Sequence, residues 1–152
     1  MNESLQKALQ KAKQYCAYQE RCHSEMREKL YSFNLRKKEV EVLLVQLIEE
    51  NYLNEERFAL AFAGGKFRMK KWGREKIKHA LKQKQVSDYC ISKAVALLSN
   101  ADYNKTFTMV ANKKLQSLST EKNIFIKKRK LRDHLLQKGY EHALINEWLK
   151  GI

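Results

Sequence analysis

The sequence has 152 residues, no proline, five glycines, 43% hydrophobic residues and 32% charged residues. This composition excludes a disordered polyelectrolyte and favours helix almost throughout, so we predict a compact all-α protein. The formal net charge of +14 at pH 7 indicates a polyanionic partner, or at least electrostatic steering towards one.

Nine helices are predicted in chain order from apolar periodicity and capping residues. They cover roughly residues 4–21, 24–33 and 37–51, then 55–67, 74–84 and 88–99, and finally 103–117, 121–138 and 141–149. The predicted N-terminal caps are Ser24, Asn54, Ser87, Asp102 and the pair Ser119-Thr120.

The apolar anchors of these helices repeat at fixed offsets, as from Met26 to Ile77 (51 positions) and from Ile77 to Leu131 (54 positions). The three sets are Met26, Leu30, Leu35, Val40, Leu44 and Leu47; Ile77, Leu81, Val86, Ile91, Val95 and Leu98; Leu131, Leu135, Tyr140, Ile145, Leu149 and Ile152. The loops between the anchors have the same lengths in each set, and the apolar positions keep the same register. This pattern predicts three tandem three-helix repeats, 1–54, 55–101 and 102–152, packed in an elongated, curved array. A single globular bundle of nine helices is the alternative.

The second helix of each repeat ends at Asn34, Gln85 or Gly139, one residue before an anchor. Gly and Asn tolerate the left-handed backbone that a helix end often needs, whereas Gln tolerates it less well. We therefore expect left-handed helix ends at these positions and mild strain at Gln85.

The positive charge is concentrated in the second and third repeats. Up to Arg57 the chain has ten bases and ten acids, residues 58–101 have ten bases against two acids, and the rest has eleven against five. Lys or Arg also recurs beside the apolar stripe of the second helices, so we predict a basic strip that binds a partner. The alternative is a basic face that only interacts with solvent. The predicted contact residues are Lys70, Lys71, Trp72, Arg74, Lys78, Lys82, Lys128 and Arg132.

Among these residues, Trp72 has two interpretations. An aromatic ring within the basic segment RMKKWGR can stack on a nucleotide base or anchor a protein interface, and it can equally fill a gap between repeats. By contrast, helical spacing predicts core positions for five other aromatic residues: Phe58, Phe62, Tyr103, Phe107 and Trp148.

No motif in the sequence predicts catalysis. It has no Gly-rich phosphate loop, no His-x-x-x-His pair and no nucleophile beside a base, so we expect a binding protein without a cofactor. His79 and His134 are expected at the surface. Cys16, Cys22 and Cys90 include no C-x-x-C pair and predict inert, buried thiols rather than a disulfide framework or zinc site.

The sequence also has no apolar run long enough to span a bilayer, and its start, MNESLQKALQKAKQ, lacks the apolar core of a signal peptide. We therefore predict a cytoplasmic protein.

Two segments resemble the RecX family of regulators of the bacterial RecA recombinase. Residues 51–59, NYLNEERFA, are similar to that family's Gly-Tyr-Leu-Asn-Asp and Arg-Phe-Ala signature, and KWGR followed by Ile77 and Leu81 is similar to its second motif. Asn51, Glu55 and Gln85 depart from the family's usual Gly, Asp and Gly.

The resemblance implies a function and a partner. It implies a monomer that binds in the groove of the RecA filament on DNA, bridges protomers, and restrains ATP hydrolysis, filament growth and strand exchange. Direct, sequence-nonspecific DNA binding is the alternative, and a helical scaffold for another acidic protein is a third possibility.

Overall fold

The structure is a computed structural model that describes residues 2–152, and these residues form helices and no strand, as predicted. The helices are α1 (Glu3–Tyr18), α2 (His23–Tyr31), α3 (Lys37–Glu49), α4 (Glu55–Gly65), α5 (Arg74–Gln83), α6 (Asp88–Ala96), α7 (Asn100–Ser117), α8 (Ile124–Lys138) and α9 (His142–Leu149). A π-helical turn, Lys66–Lys70, follows α4 directly.

Two of the predicted caps are confirmed. The side chain of Asn54 accepts a hydrogen bond from the N–H of Arg57 at 2.9 Å, and Ser87 Oγ accepts one from the N–H of Cys90 at 3.3 Å. Each side chain therefore satisfies one of the first-turn amides that have no partner inside the helix.

The other three predicted caps are wrong. Helix α2 begins at His23, one residue before its predicted start. Ser24 Oγ does not cap it and instead donates to the carbonyl of Lys84 at 2.7 Å. The cap of α7 is Ser99, not Asp102. The cap of α8 is Asn123, whose side chain accepts from two backbone amides, so the loop containing Ser119 and Thr120 continues past them.

Fifteen of the eighteen predicted anchors are buried, and Leu35, Leu98 and Ile152 are half-buried. The repeated apolar pattern therefore corresponds to buried helix faces in all three groups of three helices, α1–α3, α4–α6 and α7–α9. Cys22 and Cys90 are buried as predicted, while Cys16 is only half-buried. Burial raises the pKa of the Cys16 thiol to about 11, so this thiol stays protonated at neutral pH.

Internal contacts divide the chain into two compact units. The first unit contains the chain up to Phe62 together with Leu81–Lys93, and the second contains Ala63–Ala80 together with Ala94–Ile152. The middle helix triplet contributes to both units, because the divisions fall inside α4, α5 and α6. The division into repeats 1–54, 55–101 and 102–152, and their curved array, stay predictions.

The two units have different cores. Aliphatic side chains from α1, α2 and α3, including Met26, Leu30 and Leu47, fill the core of the first unit. The core of the second unit combines aliphatic side chains with packed aromatic rings: Tyr140 lies 5.5 Å from Tyr103 and 5.1 Å from Phe107, measured between ring centroids. Edge and tilted arrangements of this kind add to the stability that area burial provides.

The predicted left-handed helix ends are confirmed. The φ angles are 61° at Asn34, 65° at Gln85 and 96° at Gly139. At Gln85 the left-handed helix end is closed by a hydrogen bond, 3.2 Å long, from the N–H of Val86 to the carbonyl of Leu81. Asn51, another position where the family that the sequence resembles usually has glycine, has a φ of 64°.

Replacing Gln85 by glycine should stabilise the protein. Gln85 is exposed and left-handed, so the substitution relieves the steric cost of its Cβ without removing a buried contact. We expect a gain of about 0.5–1 kcal/mol in the free energy of unfolding, measured by urea denaturation. The matched control is Asn34→Gly, for which we expect a smaller gain because Asn tolerates this conformation; an equal gain at both positions would contradict the explanation.

Candidate partner-binding surface

The basic segment between α4 and α5 is a tight backbone reversal. The N–H of Lys71 donates to the carbonyl of Phe67 at 3.1 Å, and the N–H of Trp72 donates to the carbonyl of Lys66 at 3.3 Å. Lys71 has a φ of 61°, and its Nζ donates to the carbonyl of Arg68. The reversal leaves Lys70 exposed and Lys71 and Trp72 half-buried.

Within the second unit, the C-terminal end of α8 meets the N-terminal end of α5. The N–H of Gly73 donates to the carbonyl of Lys138 at 2.7 Å, and the N–H of Glu75 donates to the carbonyl of Gly139 at 2.9 Å. We call this arrangement the α8–α5 joint. It satisfies unpaired amides of one helix with unpaired carbonyls of another, and it brings opposite ends of two helix dipoles together.

The joint depends on two glycines. A Cβ on Gly73 would lie 2.3 Å from the carbonyl oxygen of Gly139, and a Cβ on Gly139 would lie 2.3 Å from the Cβ of Lys76. Both distances are far shorter than a van der Waals contact, so neither position accepts a side chain without movement of the backbone. This explains the glycine of the KWGR segment in physical terms.

Arg74 is held by contacts inside the second unit. Its guanidinium donates to Glu141 at 3.2 Å and to Asn100 at 2.8 Å, and lies 3.8 Å from the ring centroid of Tyr103. The side chain is 20% exposed. Arg74 therefore has an internal role that the sequence did not indicate, and any role towards a partner stays a prediction.

Tyr103 connects Arg74 to Glu141, the residue that precedes α9. Its hydroxyl oxygen accepts from the N–H of Arg74 at 2.8 Å, and its hydroxyl donates to the carboxylate of Glu141. Burial, and then the hydrogen bond to Glu141, raise the pKa of Tyr103 far above its usual value, so the phenol stays protonated and remains a donor. The ring of Tyr140 packs beside it, and its hydroxyl donates to the carbonyl of Lys71 at 2.7 Å.

The other predicted contact residues differ in their surroundings. Lys78 is exposed, and its Nζ lies 3.5 Å from the carboxylate of Glu75. Lys82 is exposed in the first unit, 3.6 Å from Asp88. Exposed ion pairs of this type contribute at most about 1 kcal/mol, so both cations can exchange these partners for others.

Lys128 and Arg132 are half-buried and lie on successive turns of α8. None of the ion pairs formed among residues 2–152 includes either of them. They are therefore available to an anionic partner. His134, on the same helix, is half-buried rather than fully at the surface, and burial together with Lys114 and Lys138 lowers its pKa.

Trp72 lies close to two ammonium groups. The Nζ of Lys76 is 4.7 Å from the centroid of its ring and the Nζ of Lys66 is 5.1 Å from it. Because the ring is half-buried, packing and partner contact are both compatible with its position.

Sequence reasoning missed two exposed apolar residues near the basic segments. Met69 and Phe125 are each 82% exposed. Phe125 lies six positions before the buried anchor Leu131, which puts it off the apolar stripe of α8. This displacement from the stripe is the sequence feature that could have identified Phe125 as exposed.

Residues 2–152 contain neither a membrane-spanning helix nor a metal cluster. No helix in this part of the chain is long and apolar enough to cross a membrane. The same residues contain no group of three or more His, Cys, Asp or Glu side chains placed to hold a metal ion.

Two family models match most of the helical region. The model of the second three-helix domain of RecX matches residues 54–95, and the model of the third matches residues 102–149. The chain belongs to the RecX family. Both matched segments include parts of the surface described above.

Curated relatives agree with this family, and a solved structure has the same fold. A "Regulatory protein RecX" of Clostridium acetobutylicum is 31% identical over 84% of this chain and 60% of its own length. A relative of the same name from Bacillus cereus is 28% identical over 99% of this chain and 56% of its own length. The chain thus spans about 60% of the length of the curated relatives it matches. A crystal structure of RecX from Lactobacillus salivarius has the same fold, with a TM-score of 0.87 at 22% identity over the whole of both chains.

Replacing Gly73 by alanine should disrupt the α8–α5 joint. The added Cβ would collide with the backbone of Gly139, so we expect a loss of at least about 2 kcal/mol in the free energy of unfolding, measured by urea denaturation.

Gly65→Ala is the matched control, because a Cβ at Gly65 meets no atom within 4 Å. Gly65 has helical dihedral angles, and we expect alanine there to stabilise the protein by up to about 1 kcal/mol. A similar effect of the two substitutions would show that the close approach at Gly73 does not support the fold.

Proposed function

We propose that this chain binds the filament that the RecA recombinase forms on DNA, and that it inhibits ATP hydrolysis, filament extension and strand exchange, thereby regulating recombination and DNA repair. Membership in a family whose curated members are named regulatory proteins supports the regulatory part of this proposal. The RecX resemblance in the sequence supports the choice of partner.

The observation that carries the proposal is the uneven charge of the chain. Up to Arg57 the bases and acids balance, so the whole net charge of +14 belongs to the segments that follow. A filament on DNA presents phosphate groups, and a concentrated basic surface attracts such a polyanion and accelerates the encounter.

The proposed contact set keeps the residues predicted from the sequence. The exposed members are Lys70, Lys78 and Lys82, and the half-buried members are Lys71, Trp72, Arg74, Lys128 and Arg132. Because Arg74 is held by Glu141 and Tyr103, changing it would alter the fold as well as the surface. A test of binding should therefore use exposed members of the set.

The experiment titrates the chain into the DNA-dependent ATPase of the cognate recombinase, with DNA in excess so that sequestration of DNA cannot account for inhibition. We expect inhibition at amounts well below those of the recombinase. The double variant Lys70→Glu/Lys78→Glu should inhibit about tenfold less well, because it places like charge against the filament at two exposed positions.

The matched control is Lys105→Glu/Lys113→Glu, in which both lysines are exposed on α7 of the same unit. Both doubles change the formal net charge by the same amount, so a difference between them reports position. We expect the control to remain within about twofold of the unmodified chain. Equal losses would contradict the contact set. Absence of inhibition by the unmodified chain, with strong salt-sensitive binding to bare DNA, would favour the direct DNA-binding alternative.

A further inference from the structure

Phe125 is an exception among the aromatic side chains of the second unit. Tyr103, Phe107 and Tyr140 are at most 2% exposed, whereas Phe125 is 82% exposed and its neighbour Ile124 is 41% exposed. A phenylalanine left in water gives up the transfer free energy that its burial would provide. Beside a basic run, the exposed ring of Phe125 is accessible to another molecule.

Asn123 caps the first turn of α8 and fixes the backbone that carries this ring. Asn123 Oδ1 accepts from the N–H of Phe125 at 3.0 Å and from the N–H of Ile126 at 3.3 Å. Further along the same helix, Leu131 and Leu135 are fully buried. The ring is therefore presented on a capped, anchored helix and not on a loop.

Three cations follow Phe125 on the same side of α8. Lys128, Arg129 and Arg132 lie three, four and seven positions after it, which are the spacings that share one helix face. Arg129 is exposed and the other two are half-buried. At a rise of 1.5 Å per residue the ring and the last cation are separated by roughly 10 Å along the helix axis.

The cations of this stripe form no ion pair with an acid within the described residues. None of the ion pairs formed by residues 2–152 includes Lys128, Arg129 or Arg132, and the first turn of α8 contains no acidic residue. Asp133 is the one carboxylate on α8; it lies four positions after Arg129 and forms no ion pair within the described residues. The positive end of the helix dipole adds to the field near Phe125.

We propose that Phe125, Lys128, Arg129 and Arg132 form a site for single-stranded nucleic acid. An unpaired base stacks on the ring of Phe125, and the three cations contact the phosphates of the same strand. Stacking requires an exposed base face, which a duplex does not offer along its length, so the site prefers a single strand.

A lipid surface fits this stripe less well. An interfacial membrane helix needs a continuous apolar face at the surface, whereas the apolar face of α8 is buried around Leu131 and Leu135 and only its first turn exposes apolar groups. The site deepens the proposed function by naming a direct nucleic-acid contact, but its test does not use the recombinase.

The experiment measures binding of the full chain to a fluorescently labelled oligothymidylate and to a duplex of equal length, by fluorescence anisotropy over a range of salt concentrations. Phe125→Ala should weaken single-strand binding about tenfold and duplex binding less than about twofold. Phe125→Trp should retain binding, and the Trp fluorescence should be quenched by the oligonucleotide. The slope of log affinity against log salt concentration (the salt slope) should be unchanged in Phe125→Ala, because no charge is removed.

Two controls separate stacking from general effects. Met109→Ala removes an exposed apolar side chain of the same unit and should leave single-strand binding unchanged. Lys128→Gln/Arg132→Gln should lower the salt slope by about 0.7 for each phosphate that the variant no longer neutralises, whereas Lys105→Gln/Lys113→Gln should not. Far-UV circular dichroism and urea denaturation confirm that each variant is folded.

Several results would overturn the site. These are unchanged single-strand binding by Phe125→Ala, equal losses on single strand and duplex, and full rescue by Phe125→Leu, which has no ring to stack. Binding of the same variants to anionic phospholipid vesicles is measured in parallel. If Phe125→Ala lost vesicle binding while its oligonucleotide binding was unchanged, the ring would contact a lipid surface instead. A selective single-strand loss with no ATPase inhibition by the unmodified chain would leave this site standing and remove the regulatory proposal.

Discussion

The second unit depends on the hydrogen bonds that join the end of α8 to the start of α5. The carbonyls of Lys138 and Gly139 accept from the amides of Gly73 and Glu75, so polar groups that a helix cannot satisfy internally are satisfied by another helix. This approach is close enough to require glycine at both 73 and 139. It also fixes the start of α5, from which Lys78 projects, and the end of the helix that carries Phe125, Lys128 and Arg132.

The first unit has a related contact at an equivalent place in the repeat. There Ser24, at the start of α2, donates through its hydroxyl to the carbonyl of Lys84, just after α5. Ser24 precedes Glu75 by 51 positions and Lys84 precedes Lys138 by 54, the same offsets that relate the apolar anchors. The offsets that relate the apolar anchors therefore also relate residues that join helix ends in each unit, although the contact is made by a side chain in the first unit and by the backbone in the second.

Much of the fold follows from the sequence because burial and helix ends leave periodic signals. Fifteen anchors are buried, and the left-handed residues at 34, 85 and 139 are where the pattern predicted them. The caps of α2, α7 and α8 were predicted wrongly because several polar residues compete in each loop and tertiary partners select among them. Ser24, for example, donates to Lys84 and does not cap its own helix.

The candidate site was harder to predict for a related reason. A basic residue beside an apolar stripe gives the same sequence signal whether it faces solvent, a partner or an internal carboxylate. Arg74 is held by Glu141, 67 positions away, and no local pattern indicates that contact. Phe125 was overlooked because aromatic residues at helical spacing are usually buried, although its displacement from the stripe of α8 distinguishes it.

The central claim is that the basic part of the chain faces the recombinase filament, and site-specific photo-crosslinking tests it most directly. A photoreactive residue replaces either His79, exposed next to Lys78, or Val45, exposed on α3 in the neutral part of the chain, and each protein is irradiated on the assembled filament. The account predicts adducts with recombinase or DNA from position 79 and few from position 45. Efficient adducts from position 45 with none from position 79 would contradict it.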